Sequence, residues 1–278
     1  MITIRTSLLP SYFDCPRRAA AKILEYLLHC HGYDLRTEPP LISGNVGTAV
    51  HDAQGMALIE KAHGRPYNKT ACVDYGIEML RGRIADGVEY DETTANFDHA
   101  TKQVQIISNA LFAEVLPGID PVIDRDGKPT VEYFRKATIC DGFELTGHLD
   151  YETTLRDIGD TKTGKSGTGY DAQLGGYSLL RQAHEGQGAR VVFIEHAPRV
   201  SIKKPFPGIE RYPYDVRICE LAARYTVERI VKDICAYQKT QIPWVFPCNQ
   251  MSQLCSPKYC TAYGTDWCEL TKKNIEEA

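Results

Sequence analysis

The segment from residue 130 to residue 163 constrains this chain more than any other. It reads TVEYFRKATIC, then Asp141-Gly142, then FELTGHLDYETTL and RDIGDTKT. Two β-rich runs joined by Asp-Gly predict a tight hairpin, and the third run predicts a strand that follows almost at once. Because side chains alternate between the faces of a strand, Asp160 and Lys162 are expected on the same side. A hairpin-type connection brings Asp150, near the end of the preceding strand, to the same end of the sheet.

Around this block the pattern is helical. Apolar residues recur at helical spacing over 17–29, 48–63, 72–87 and 100–116, the last closed by Pro117-Gly118. Thr48 is placed to cap the second of these, with Val50, Ala53 and Ala57 along one face and His51 in the first turn. Beyond the strands, 171–185 predicts a helix, 190–196 a buried strand and 214–237 a long amphipathic helix. From 243 onward the chain is irregular and rich in Cys, Pro and aromatics. No repeat or obvious linker divides it, and 278 residues suffice for one large domain or two small ones.

Two acids and an amine at one end of a sheet suit metal-assisted hydrolysis. Breaking a phosphodiester at neutral pH requires a nucleophilic water and neutralisation of charge on the phosphoryl oxygens, and one or two divalent ions supply both. Such hard ions take oxygen ligands, and the backbone carbonyl of Thr161, between Asp160 and Lys162, offers one more. Taken alone, the same residues also fit solvated positions of a hairpin, and His51 fits a structural histidine.

In order and spacing the set resembles the PD-(D/E)xK nuclease superfamily in its RecB-like exonuclease branch, over roughly residues 11 to 268. The GTAVH of Gly47 to His51 matches the family's metal-binding histidine on an N-terminal helix. Gly147-His148-Leu149-Asp150 matches G-x-x-D, Asp160-Thr161-Lys162 matches D/E-x-K, and Gln173 with Tyr177, four apart on the next helix, matches Q-x-x-x-Y. The resemblance implies an α/β fold: a restriction-endonuclease-like mixed β-sheet flanked by helices, with a helical N-terminal section and an irregular Cys-rich tail. One domain over 1–278 is expected, with a helical section over 1–125, a catalytic core over 126–240 and the tail over 241–278. The resemblance further implies that His51, Asp150 and Asp160 hold Mg2+ or Mn2+, that Lys162 positions or activates the attacking water, and that Gln173 and Tyr177 orient the substrate. Glu132, at the start of the first strand, is a weaker candidate ligand, and His148 has no family role. DNA is the implied substrate and exonucleolytic hydrolysis in recombination, repair or phage DNA processing the implied activity. A recombination partner protein is compatible with that reading, and the oligomeric state stays open.

Ten cysteines without a recognisable export signal read as free thiols plus a metal or cluster site, with cytoplasm the expected compartment. Cys30, Cys72, Cys140, Cys219 and Cys235 fall in helical or strand patterns and suit small, buried residues. Some RecB-like nucleases tie one cysteine before the core to three after it around a 4Fe-4S cluster, and Cys15 with Cys255, Cys260 and Cys268 resembles that arrangement. The spacing departs from the family: C-x4-C-x7-C here against C-x2-C-x5-C, with Cys248 as a fifth candidate. Zinc and plain thiols remain the alternatives. A cluster there would clasp the two chain ends together.

Rival readings come from a different class. Gly159 to Ser166, GDTKTGKS, satisfies the phosphate-loop pattern with Lys165 as its lysine and Glu195 as an acidic strand end, which would make an NTPase. Its context is poor, because polar residues precede it and Gly167 and Gly169 disfavour the helix such a loop requires. A non-catalytic DNA-binding module is the other rival. The net charge of -4 does not support nucleic-acid binding, although carboxylates gathered around cations make formal charge a poor guide. Arg17-Arg18, Lys203-Lys204 and Lys272-Lys273 are candidate phosphate contacts or ordinary surface pairs, and Tyr177 is the one tyrosine named as a base-stacking candidate. No apolar run reaches the roughly 20 residues that would span a bilayer.

Overall fold

The computed structural model describes residues 1–37, 40–164 and 169–271. Its centre is a six-stranded mixed sheet. Strands β2 (Val131–Cys140) and β3 (Phe143–Glu152) form the expected hairpin across Asp141-Gly142. β3 uses its other edge twice: β1 (Ile2–Arg5) pairs in parallel with Phe143 to Thr146, and β4 (Asp157–Lys162) pairs antiparallel only at Tyr151 and Glu152. β5 (Val191–His196) then runs parallel to β4, and β6 (Glu210–Tyr214) closes the edge antiparallel to β5. Neither β1 nor β4 pairs with residues 147–150, so the sheet splays beside the G-x-x-D segment.

Hydrophobic burial sorts the helices onto two sides. One core joins α4 (Ile42–Ala62), α5 (Lys69–Arg83) and α6 (Phe97–Ala110) to Val131, Tyr151 and Phe193 of the sheet. On the other side α7 (Asp171–Glu185) and α8 (Val216–Thr240) pack over Leu149, Ile158, Val192 and Ile194. Gly175 permits that second packing, since a Cβ there would collide with the backbone carbonyl of Cys219 on α8. Of the predicted helices, 17–29 is two segments, α2 (Pro16–Ile23) and α3 (Glu25–Cys30), preceded by a short α1 (Leu9–Asp14). The 100–116 prediction holds as α6, continued by a wider turn over Leu111–Val115. β1 and β6 are additions to the expected set; both are edge strands whose short runs carry little periodic signal.

The N-terminus and the tail meet at Arg17. Its Nε donates to the Phe246 carbonyl at 2.7 Å and its Nη1 to the Trp267 carbonyl at 2.9 Å, while Trp267 Nε1 donates back to the Arg17 carbonyl at 3.1 Å. Arg17 and Arg18 are therefore buried ties between chain ends, not surface phosphate contacts. Lys203 and Lys204 are exposed, and Lys272 and Lys273 lie outside the described residues. Cys72 and Cys219 are buried as expected, whereas Cys30 and Cys140 are exposed. Among the described residues no helix is long and apolar enough to cross a membrane.

Candidate active site

The site forms where the sheet opens. Up to Leu149 the odd-numbered residues of β3 face α7, and Gly147 is needed there, because a Cβ would approach Leu180 Cδ1 to 2.7 Å. Past Asp150 the sides exchange: Tyr151 joins the α4 core, while Glu152 accepts from Arg181 of α7 at 2.6 Å. Asp150 sits at the switch and turns into the gap, where its Oδ2 accepts the Thr161 N–H at 2.6 Å in place of a strand-to-strand bond. Facing it in the register, between the Val131–Tyr151 and Tyr133–Leu149 pairs, Glu132 has a φ of +48°. A non-glycine residue held in the left-handed region costs about 1–3 kcal/mol, and such strain gathers at functional sites.

His51 reaches the gap from α4. The helix begins at Ile42, so His51 lies mid-helix and not in a first turn, and the Thr48 hydroxyl donates to the Gly44 carbonyl at 3.1 Å instead of capping. The fully buried Ile42 and Val46 extend the apolar face of the helix upstream of Thr48, through Gly44 and Gly47 with their low helix propensity. His51 Nδ1 stands 3.2 Å from Asp150 Oδ2 and 3.5 Å from Glu132 Oε1. One ligand atom from each of these residues lies within 4.8 Å of the others, the one such group among the described residues. Glu132 also contacts His148 Nδ1 at 3.2 Å. One turn past His51, Gln54 accepts the Thr161 hydroxyl at 2.9 Å and fixes α4 to β4.

Asp160 and Lys162 share a side of β4, as strand alternation requires, with Lys162 Nζ 2.5 Å from Asp160 Oδ2. The other Asp160 oxygen receives Gln173 Nε2 at 3.3 Å and the Tyr177 hydroxyl at 3.4 Å, and Gln173 donates to Tyr177 at 2.7 Å. Both partners are buried, so the face of Tyr177 is closed to a base and its expected use as a stacking platform does not hold. His51, Glu132, His148, Asp150, Asp160, Lys162, Gln173 and Tyr177 line one open cleft with Arg5, Thr48 and Phe134.

Burial and charge act against each other in this cleft. Burial disfavours the His51 cation, yet the Asp150 and Glu132 carboxylates overcome it and hold the imidazole pKa well above its ordinary value. Burial likewise opposes the Asp150 carboxylate, but His51, Lys162 and the Thr161 N–H bring its pKa below the usual range. Burial and the Asp150 charge push Asp160 up to about 6 against the pull of Lys162. Burial weakens the Lys162 cation, and Asp160 and Asp150 more than restore it, leaving an ammonium at neutral pH. Asp160 Oδ2 is buried with no hydrogen bond among the described residues, only the ionic contact to Lys162. An imidazole, two or three carboxylates and an anionic oxygen so exposed to cationic attraction are a donor set that fits a divalent ion.

The five named cysteines also converge. Cys15, Cys248, Cys255, Cys260 and Cys268 line a single narrow cavity of about 10 Å³, with Arg17 and Arg18 in its wall. Burial pushes the Cys248 and Cys260 thiols up to about 11. Among the described residues no three cysteine sulfurs lie within 4.8 Å of one another.

The phosphate-loop alternative loses its geometry. Gly159 to Lys162 are strand residues, and α7 begins only at Asp171; Lys165 and Ser166 lie outside the described residues. Glu195 is paired with Arg211 and accepts from Tyr151 at 3.5 Å.

No family model matches the chain, and no curated protein matches it by sequence. A solved structure from Eubacterium rectale, described as a candidate exonuclease, superimposes with a TM-score of 0.58 at 12% identity over 91% of this chain and 86% of that one. At that identity the likeness speaks for the fold: a mixed open sheet flanked by helices, consistent with the restriction-endonuclease-like architecture expected. LHK-Exo in complex with dAMP overlaps 68% of this chain and 96% of that one at 10% identity, with a TM-score of 0.28, from which nothing follows here.

Glu132 is the residue of the cleft that sequence reasoning undervalued. Counting back from a two-residue turn sets it against Tyr151, but the irregularity between Thr138 and Cys140 shifts the register and brings it opposite Asp150. Gln54 carried no signal beyond its place one turn after His51.

Proposed function

We propose that this protein is a divalent-metal-dependent deoxyribonuclease, acting as an exonuclease. The observation that carries the reading is the approach of His51, from a helix, to Asp150 and Glu132, from two strands, beside the Asp160–Lys162 pair. The name of the Eubacterium rectale structure points the same way. His51, Glu132, Asp150 and Asp160 would hold Mg2+ or Mn2+, with the Thr161 carbonyl as a further donor. When bound, such an ion acidifies water and neutralises charge on the phosphoryl group.

The chain's own residues complete the chemistry. Lys162, kept protonated by its acids, donates a hydrogen bond that orients the attacking water or a phosphoryl oxygen, as expected of a group whose proton stays in place. Gln173 and Tyr177 hold one oxygen of Asp160, leaving the other directed at Lys162 and the ion. Thr161 fixes Asp150 through its N–H, so the two strands cannot close over the site. Tests on end-labelled DNA with and without Mn2+ separate this reading from its rivals. The nuclease shortens the strand progressively from an end only with metal, and Lys162→Ala abolishes it; metal-independent binding without cleavage would make the protein a DNA-binding module.

A 4Fe-4S cluster in the cysteine cavity belongs to the same proposal. A single zinc ion binds thiolates at about 2.3 Å and would draw their sulfurs to within about 4 Å of each other; among the described residues no three cysteine sulfurs come that close together, which favours a larger group. Anaerobically purified protein should be brown and contain iron and sulfide, and colourless protein without either would refute the cluster.

A further inference from the structure

Phe134 is exposed to 57%, although it lies on the central hairpin of the sheet. A large apolar ring on a strand normally finds a helix to cover it, and leaving it in water forgoes its burial. The reason for its exposure is local. Phe134 pairs with His148, two residues along from Asp150, and beside Glu132 on the same run of β2. It therefore lies on the floor of the cleft that holds His51, Glu132, Asp150, Asp160 and Lys162, on the stretch that α4 leaves open.

Spacing and charge give the ring a partner. Two residues of strand separate Phe134 from Glu132 by about 7 Å, roughly one extended nucleotide. Across the hairpin, Arg5 ends β1 opposite Thr146 and brings a guanidinium to the same cleft. A phosphodiester held at the acidic end of the cleft thus places the next base over Phe134 and its phosphate near Arg5. Away from the terminal pair, both faces of a base in a duplex are stacked on neighbours, so a base inside the strand offers its face to the ring only once it is unpaired. Tyr177, the alternative ring, is closed to such contact.

We infer that Phe134 is a stacking platform for a base of single-stranded DNA, which selects an unpaired end as the substrate of this site. The inference rests on the nuclease reading for its orientation but not for its test. Binding of a fluorescent single-stranded oligonucleotide is measured by anisotropy with Ca2+ replacing Mn2+, so that no turnover is needed. Phe134→Ala is expected to weaken binding about 5- to 100-fold, the range of one lost base–aromatic stack, while Phe134→Trp retains it. Blunt duplex should lose less than about 2-fold in Phe134→Ala. An abasic nucleotide moved stepwise from the end should weaken wild-type binding at one position, and Phe134→Ala should erase that dependence on position. A role in folding alone would lower single-strand and duplex binding together and leave the dependence intact, and either result overturns the inference, as does a wild type that binds no single strand. Position-dependent binding without any metal-dependent cleavage would refute the nuclease reading and leave the platform standing.

Discussion

The carboxylate cleft and the cysteine cavity both gather residues distant in sequence, but by opposite means. In the cleft, β3, β4, α4 and α7 fix each side chain, and the polar groups are already paired: Asp150 with Thr161, Asp160 with Gln173, Tyr177 and Lys162. Around the cavity the cysteines sit on short turns and irregular chain, burial pushes the Cys248 and Cys260 thiols up, and hydrogen bonds from Arg17, Ser252 and Asn249 join the two ends. A site built on regular elements can be charged and strained because the fold holds it. A site built on loops is expected to depend on what it binds.

The sharpest break of that comparison is a pair of variants with opposite signatures. Asp150→Ala should cut Mn2+-dependent cleavage by about 10³-fold or more while leaving the melting temperature within a few degrees, measured on the same preparation. Cys260→Ser should do the reverse, lowering Tm by about 5 °C or more, with cleavage per folded molecule kept within about 3-fold; a 1 kcal/mol loss moves a domain of this size by about 2–4 °C. Equal effects of both variants on activity would merge the two sites into one.

Glu132→Gly sharpens the account of strain. Relief of the positive φ should raise stability by about 1 kcal/mol in chemical denaturation, while calorimetry shows Mn2+ affinity reduced by about 10- to 100-fold. Loss of stability together with affinity would mean that Glu132 serves the fold.

The pH dependence follows from the same cleft. His51, its pKa raised by the acids, and Asp160, raised to about 6, must both shed protons before they can hold a cation. Metal binding therefore gains free energy as pH rises. The Tm increase produced by Mn2+ should be small near about pH 5 and grow toward about pH 8; an increase that shrank over that range would contradict the assignment of these ligands. The smallest effect is expected of Lys165→Ala, which should change cleavage by less than about 2-fold, where an NTPase would lose its activity.

The cleft was largely legible because alternation along strands is a rigid rule. Asp160 and Lys162 had to share a side, and the Asp141-Gly142 turn had to bring β2 against β3. What alternation could not show is that β3 exchanges sides at Asp150, or that a register shift places Glu132 against it. α4 begins at Ile42 and not at the expected Thr48 cap, because burial of Ile42 and Val46 overrides the low helix propensity of Gly44 and Gly47. Arg17 and Arg18 looked like surface charge since nothing local shows that carbonyls from residues 246 and 267 arrive to receive the first. The convergence of the cysteines depended on the same long-range docking, which spacing alone does not encode.

The central claim is that an imidazole from α4 and carboxylates from β2 and β3 surround one cation. An anomalous difference map from crystals soaked in Mn2+ tests it directly. A single strong peak should lie about 2.0–2.3 Å from a ring nitrogen of His51 and from carboxylate oxygens of Asp150 and Glu132. A peak elsewhere in the protein, or a cleft that stays empty at saturating Mn2+, would contradict it.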